Sequence, residues 1–136
     1  MWLKKWSNEV QRFFDAPPED TYLLIRQVRY ADCGAISTSM CYLPKQYSHD
    51  ITPERPPKSL FSYLEEEHSI TITRAMTELF IPHRDDPLFQ LIHPREDQDV
   101  FGLKQRHFSS RGLPILYSLD YLRSDLFSFT IMRTRT

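Results

Sequence analysis

The chain has 136 residues, 40% hydrophobic and 13% aromatic, enough for one buried core and unlike a disordered sequence. Its 17 basic and 18 acidic residues leave a net charge of −1, which excludes the strongly basic face of a nucleic-acid binder. No apolar run reaches the length of a membrane span, and the opening MWLKKWSNEVQRFF lacks the apolar stretch and cleavage site of a signal peptide. One cytoplasmic domain over residues 1–136, without membrane contact, is the expectation.

The pattern opens with an amphipathic helix over 3–14, its stripe formed by Leu3, Trp6, Val10, Phe13 and Phe14. Pro17-Pro18 ends it. TYLLIRQVRY (21–30) and AISTSMCYLP (35–44) are aromatic and β-branched runs around the turn ADCG, so they form a hairpin. Cys33 and Cys41 lie in that hairpin without a Cys-x-x-Cys spacing, and are read as free thiols rather than metal ligands. A proline-rich loop leads to Ser59, an N-cap type of residue, and to a helix with Leu60, Tyr63 and Leu64 on one face. The run Glu65-Glu66-Glu67 is its solvated side. ITITRAMTELFI (70–81) alternates as a strand. HRDDPLFQLIH (83–93) is a short helix capped by Asp85 or Asp86, with Pro87 in its first turn. DVFGLKQRHFSS (99–110) and LPILYSLDYL (113–122) form a second hairpin. LFSFTIMRT (126–134) reads as a closing strand, with Phe127, Phe129 and Ile131 alternating against Leu126, Ser128, Thr130 and Met132.

A weak internal repeat runs through these elements. Helix, P-E-D or P-R-E-D, strand, Gly turn and strand ending in Tyr-Leu occurs at 3–43 and again at 83–122. Two helix-hairpin units with an intervening helix and strand predict an α+β domain. Its core is a single mixed, mostly antiparallel sheet with helices packed on it.

Motifs for chemistry are sparse. The chain has 3 glycines and no phosphate loop, and its 5 histidines form no His-x-x-x-His or His-x-His pair. No serine sits in a Gly-x-Ser-x-Gly elbow. His68 falls at a helix end, where an imidazolium suits the dipole. His107, on a strand, is the histidine placed to line a cavity, with a surface or core position as the equal alternative. No metal, cofactor or catalytic residue is expected, and the pattern favours a binding module over an enzyme.

Three stretches carry a family likeness: RYADCGAISTSMCYLP, SLFSYLEEEHSITITRAMTEL and GLPILYSLDYLRSDLFSFTI. Taken in order, from about residue 10 to the end, the chain resembles the UTRA effector-binding domain of HutC-subfamily, GntR-type transcriptional regulators, which has a chorismate lyase-like fold. The resemblance implies a homodimer that binds a small-molecule effector and controls DNA binding through a winged-helix domain. That winged helix is absent from this chain, and the family's first strand has no expected counterpart, so a stand-alone sensor or a fragment is implied. Arg123-Ser124-Asp125 would be the tight link between the last two sheet strands.

The likeness also implies a site. Family members that bind phosphorylated sugars use an Arg-x-Arg, a Glu, a Ser at the start of a helix, and a late Glu and Tyr. Here the second Arg falls on Arg29 and the Ser on Ser59. The first Arg falls on Gln27, the first Glu on Ser39, the aromatic after Ser-Leu on Phe61, the late Glu on Leu116 and the late Tyr on Leu122. One guanidinium and one helix start still suit an anion. The implied effector is therefore anionic at one end and less polar than a sugar phosphate. Two alternatives stand beside it. One is a lyase on the same fold, for which the carboxylate positions hold Ser39 and Leu116. The other is a degenerate dimerisation module in which Leu116 and Leu122 plug the cleft and Trp2, Trp6, Phe13 and Phe14 are sticky.

Overall fold

Hydrophobic alternation in the strands is resolved by one sheet covered unequally on its two faces. The computed structural model describes residues 2–5, 8–17, 21–92 and 99–135. Strands β1 (Trp2–Lys5), β2 (Thr21–Ala31), β3 (Gly34–Pro44), β4 (Ile72–Phe80), β5 (Val100–Ser109) and β6 (Pro114–Arg123) join in the order β1-β2-β3-β6-β5-β4. Each neighbouring pair is antiparallel. Helices α1 (Asn8–Phe14), α2 (Leu60–His68) and α3 (Pro87–Ile92) complete the α+β architecture expected from the sequence.

The repeat is visible in the topology. Strand, helix and hairpin occur as β1-α1-β2-β3 and again as β4-α3-β5-β6, and the two units meet through β3 and β6. From that seam the order runs outward as β3-β2-β1 on one side and β6-β5-β4 on the other. The P-E-D and P-R-E-D segments of the repeat, with Trp6 and His93, lie outside the described residues.

Register assigns the faces. Leu23, Ile25, Leu43 and Leu116 turn to the face covered by α2, where they cluster with Ile51, Leu64 and Ile115. The opposite face takes α1 and α3. Phe13 of α1 lies 5.5 Å from the Phe108 ring and 5.8 Å from that of Tyr117. Phe89 and Ile92 of α3 pack with Val100 and Tyr121. Asp86 is the cap of α3: its Oδ1 accepts from Leu88 N at 2.9 Å, while its Oδ2 accepts from the Tyr121 hydroxyl at 2.7 Å. That second bond ties the helix start to the middle of the sheet. Gly34, at φ 106°, makes the β2–β3 turn in a conformation that suits glycine.

Five expectations are corrected. The predicted helix over 3–14 is a strand followed by a shorter helix, because Trp2–Lys5 pairs with Thr21, Tyr22, Leu23 and Leu24. A four-residue apolar-polar pattern fits either period, and the free edge of β2 decides it. β1 thus stands at the sheet edge where no first strand was expected. The segment 126–134 is not in the sheet. β6 already has β3 on one side and β5 on the other, so no return strand fits beside it. Arg123-Ser124-Asp125 is accordingly a turn after the last strand, closed by Arg123 Nε and Nη2 donating to the two Asp125 oxygens at 3.0 and 2.7 Å. Finally, Phe13 and Phe14 are partly buried, and Phe13 packs on the sheet rather than forming a sticky surface.

Candidate functional site

The site is built where α2 starts above the sheet. Ser59 caps the helix, its Oγ accepting from Ser62 N at 3.4 Å, and Leu64 is fully buried against the sheet. The loop Pro56-Pro57-Lys58 and the first residues of α2 thus form a roof over the cross-strand row of Gln27, Ser39 and Asp120 and the next row of Ile25, Cys41, Ser118 and Gln105. Between roof and floor lies a cleft of about 370 Å³. Arg29 stands at its rim beyond Gln27, and His107 and Leu116 close its inner end.

Six of the seven sequence-assigned positions meet here: Gln27, Arg29, Ser39, Ser59, Phe61 and Leu116 all line the cleft. Leu122 does not. It pairs with Ser37 in the row of Arg29, and only Arg29 of that row lines the cleft. Leu116 is 2% exposed and belongs to the α2 core cluster, so it floors the cleft and does not plug it.

The cleft also gathers groups that the sequence assignment passed over: Lys58, Gln105, Ser118 and Asp120. The signal for two of them was present, since Leu116, Ser118, Asp120 and Leu122 alternate on one strand face. Gln105 Nε2 donates to Asp120 Oδ2 at 3.2 Å, and the Gln105 carbonyl accepts from the Thr77 hydroxyl at 3.3 Å. Three strands thereby hold one carboxylate. Burial pushes the Asp120 carboxyl above its ordinary range, while the Gln105 amide, the Arg29 charge and the Ser118 hydroxyl pull the other way. A carboxylate therefore does enter this site, from a position that the family mapping did not use.

His107 is the one histidine in the cleft among the described residues. Its Nε2 lies 3.4 Å from Ser118 Oγ, and the Phe61 ring meets it edge-on at 5.3 Å. Burial lowers its pKa, which keeps the imidazole neutral. The arrangement differs from a Ser–His–Asp relay. In a relay the carboxylate orients the far ring nitrogen, whereas here Nδ1 has no hydrogen-bond partner and Asp120 faces Ser118. Burial, then the Asp120 charge, pushes the Cys41 thiol up to about 12, so it stays protonated near neutral pH. The cleft combines a cationic rim at Arg29 and Lys58, a carboxylate floor at Asp120, and apolar walls at Ile25, Leu60, Phe61 and Leu116.

Solved structures share this fold at low sequence identity. A GntR-family transcriptional regulator from Enterococcus faecalis V583 is 16% identical, with a TM-score of 0.81 over 97% of this chain and 95% of that one. The ligand-binding domain of a GntR-family regulator from Bordetella bronchiseptica is 14% identical, with a TM-score of 0.83 over 98% of this chain and 86% of that one. The effector-binding domain of the Bacillus subtilis trehalose repressor is 20% identical, with a TM-score of 0.80 over 99% of this chain and 94% of that one. No curated protein matches the chain significantly in sequence. The model of the UTRA domain matches residues 2–128, nearly the whole sequence, and the chain belongs to the UTRA domain family.

Proposed function

We propose that this UTRA domain is the effector-sensing module of a GntR-type transcriptional regulator of the HutC subfamily. It acts in the cytoplasm as a homodimer and controls DNA binding by a winged-helix domain. The observation that carries the reading is the cleft under α2, where Arg29, Lys58 and a capped helix start face an apolar wall. A guanidinium and free helix amides favour an anionic group, and Leu60, Phe61 and Leu116 favour a non-polar body. The effector is accordingly a small carboxylate or similar anion, less polar than a sugar phosphate. Asp120 and Gln105 add one polar contact for a hydroxyl or amine on that body.

Regulation follows from linkage. An effector shifts DNA affinity only as far as it binds two domain arrangements unequally. The domain is read as non-enzymatic because Cys41 stays protonated and His107 lacks an orienting carboxylate.

Calorimetric titration of the chain with aliphatic and aromatic carboxylates and with sugar phosphates tests the assignment. A carboxylate is expected to bind saturably, and Arg29→Gln is expected to weaken it about 10- to 100-fold, the worth of a charge-assisted hydrogen bond. Preference for a sugar phosphate, or indifference to Arg29, would overturn the effector class. Turnover of chorismate in an absorbance assay would favour the lyase alternative, and silence toward every compound would favour the dimerisation module.

A further inference from the structure

Thr38 Oγ1, Arg106 Nε and His107 Nδ1 are the buried side-chain polar atoms left without a hydrogen-bond partner among the described residues. Of these three residues only His107 lines the cleft under α2, and it is 7% exposed. Buried polar atoms are paired almost everywhere in proteins, because leaving one unpaired is costly, so this one calls for a reason. The network around it fixes where the proton sits. Asp120, while ionised, accepts from two donors: the Gln105 amide at 3.2 Å and the Ser118 hydroxyl. A hydroxyl has one proton. Once Ser118 gives it to the carboxylate, its oxygen can only accept, and His107 Nε2 stands 3.4 Å away to donate. Nε2 therefore carries the imidazole proton, and Nδ1 of the neutral ring is a bare lone pair. Burial keeps the ring neutral and that lone pair open.

We propose that His107 Nδ1 is a specificity contact for the effector, accepting a hydrogen bond from a hydroxyl at the end of the molecule remote from its anionic group. This rests on the effector reading above and narrows it to a carboxylate with a distal hydroxyl. The direction of the bond follows from the network: a bare nitrogen pairs with a donor and not with an ether or carbonyl oxygen. Access comes from the α2 side. The Phe61 ring meets the imidazole edge-on at 5.3 Å and is 46% exposed, so it can turn into solvent. Leu116, opposite His107 in the ladder, is 2% exposed and fixed in the core. The polar ends of the cleft are thus unlike: cationic groups at the rim take the anion, and a neutral acceptor at the inner end takes the hydroxyl. A ligand with hydrocarbon or ether at that end leaves Nδ1 buried and unpaired. A site built to pair a hydroxyl rejects analogues that lack it for this reason.

Calorimetry on the full chain with two sets of carboxylates tests this. Cinnamate and decanoate, each with hydrogen, hydroxyl or methoxy at the far end, give a short and a long frame that bracket the distance from rim to inner end. On the frame that binds, the hydroxyl form is expected to bind about 5- to 50-fold tighter than the other two, and His107→Phe to cut that preference below ~2-fold. Nitrogen magnetic resonance of the imidazole gives a readout that needs no variant to fold. In the free protein Nε2 should be protonated and Nδ1 bare, and only the hydroxyl forms should shift Nδ1. A protonated Nδ1, equal affinity for the three forms, a methoxy form as good as the hydroxyl, or a preference that survives His107→Phe would each overturn the contact and leave the effector reading intact. Binding by no member of either set would overturn the carboxylate reading of the cleft and this proposal with it.

Discussion

Leu64 is the side chain through which α2, and hence the roof of the cleft, is pinned to the sheet. It is fully buried in a cluster with Leu23, Ile25, Leu43 and Leu116, each from a strand under the helix. Leu64→Ala removes the transfer energy of the lost methyl groups and leaves a hole that β2, β3 and β6 cannot close, because their register is fixed on both sides. The cost is about 3 kcal/mol, within the 2–5 kcal/mol range of such truncations. For 136 residues, an unfolding entropy of ~2.1 cal/mol/K per residue gives about 0.29 kcal/mol/K, so Tm should fall by about 10 °C. Phe61→Ala, three residues away on a side chain that is 46% exposed, is the matched control and should cost under ~3 °C. Scanning calorimetry of the two variants decides it. A fall below ~3 °C for Leu64→Ala, or an equal fall for Phe61→Ala, would refute the view that α2 is held by its buried leucine.

Ser59→Ala removes the α2 cap and should cost about 0.5–1 kcal/mol in urea unfolding, toward the low end because the Ser62 N–H bond is long at 3.4 Å; Ser59→Asp should restore most of it. Tyr121→Phe should destabilise by about 1.5–3 kcal/mol, since its hydroxyl serves the Asp86 carboxylate that caps α3, and a neutral effect would mean solvent replaces that bond. His107 is held neutral by burial, so the unfolded chain takes up its proton first as pH drops. Stability from this group is full above the unfolded value of about 6.5 and is lost below it. His107→Gln should flatten the stability profile below about pH 6.5, and urea midpoints with the same slope in both proteins would contradict this. Gly102→Ala places a Cβ 2.5 Å from the Phe80 ring, which packs on Tyr121. Phe80 must swing toward solvent, at a cost of about 1–3 kcal/mol in a thermal melt.

Six of the assigned positions line one cleft, and they were reached by different routes. Ser59 announces itself as a cap by its chemistry, whereas Arg29, Gln27 and Ser39 were assigned through the family resemblance, with alternation placing Gln27 and Arg29 on one strand face. The family mapping then skipped from Leu116 to Leu122 and stepped over Ser118 and Asp120 between them. Period-2 alternation put all four on one wall, but only the cross-strand register told which of them lies under α2. Ser39 stands opposite Asp120 in a row that lines the cleft, whereas Ser37 stands opposite Leu122 in the rim row, from which only Arg29 reaches it. Gln105 comes from β5, distant in sequence from the assigned residues, and although Lys58 adjoins Ser59, no local pattern marks either as facing the cleft.

Local sequence determined the elements: period-2 runs gave the two hairpins and β4, Ser59 and Asp86 started α2 and α3, and the repeated helix-hairpin order implied one sheet. Those choices depend on side-chain alternation and on hydrogen bonds within a few residues, which composition encodes directly. Strand neighbours were decided only by the assembled sheet. The opening residues became β1 because β2 offered a free edge, and 126–134 stayed outside because β3 and β5 had filled both edges of β6. Each strand has two edges, and which partners take them depends on the whole topology rather than on any strand's own residues.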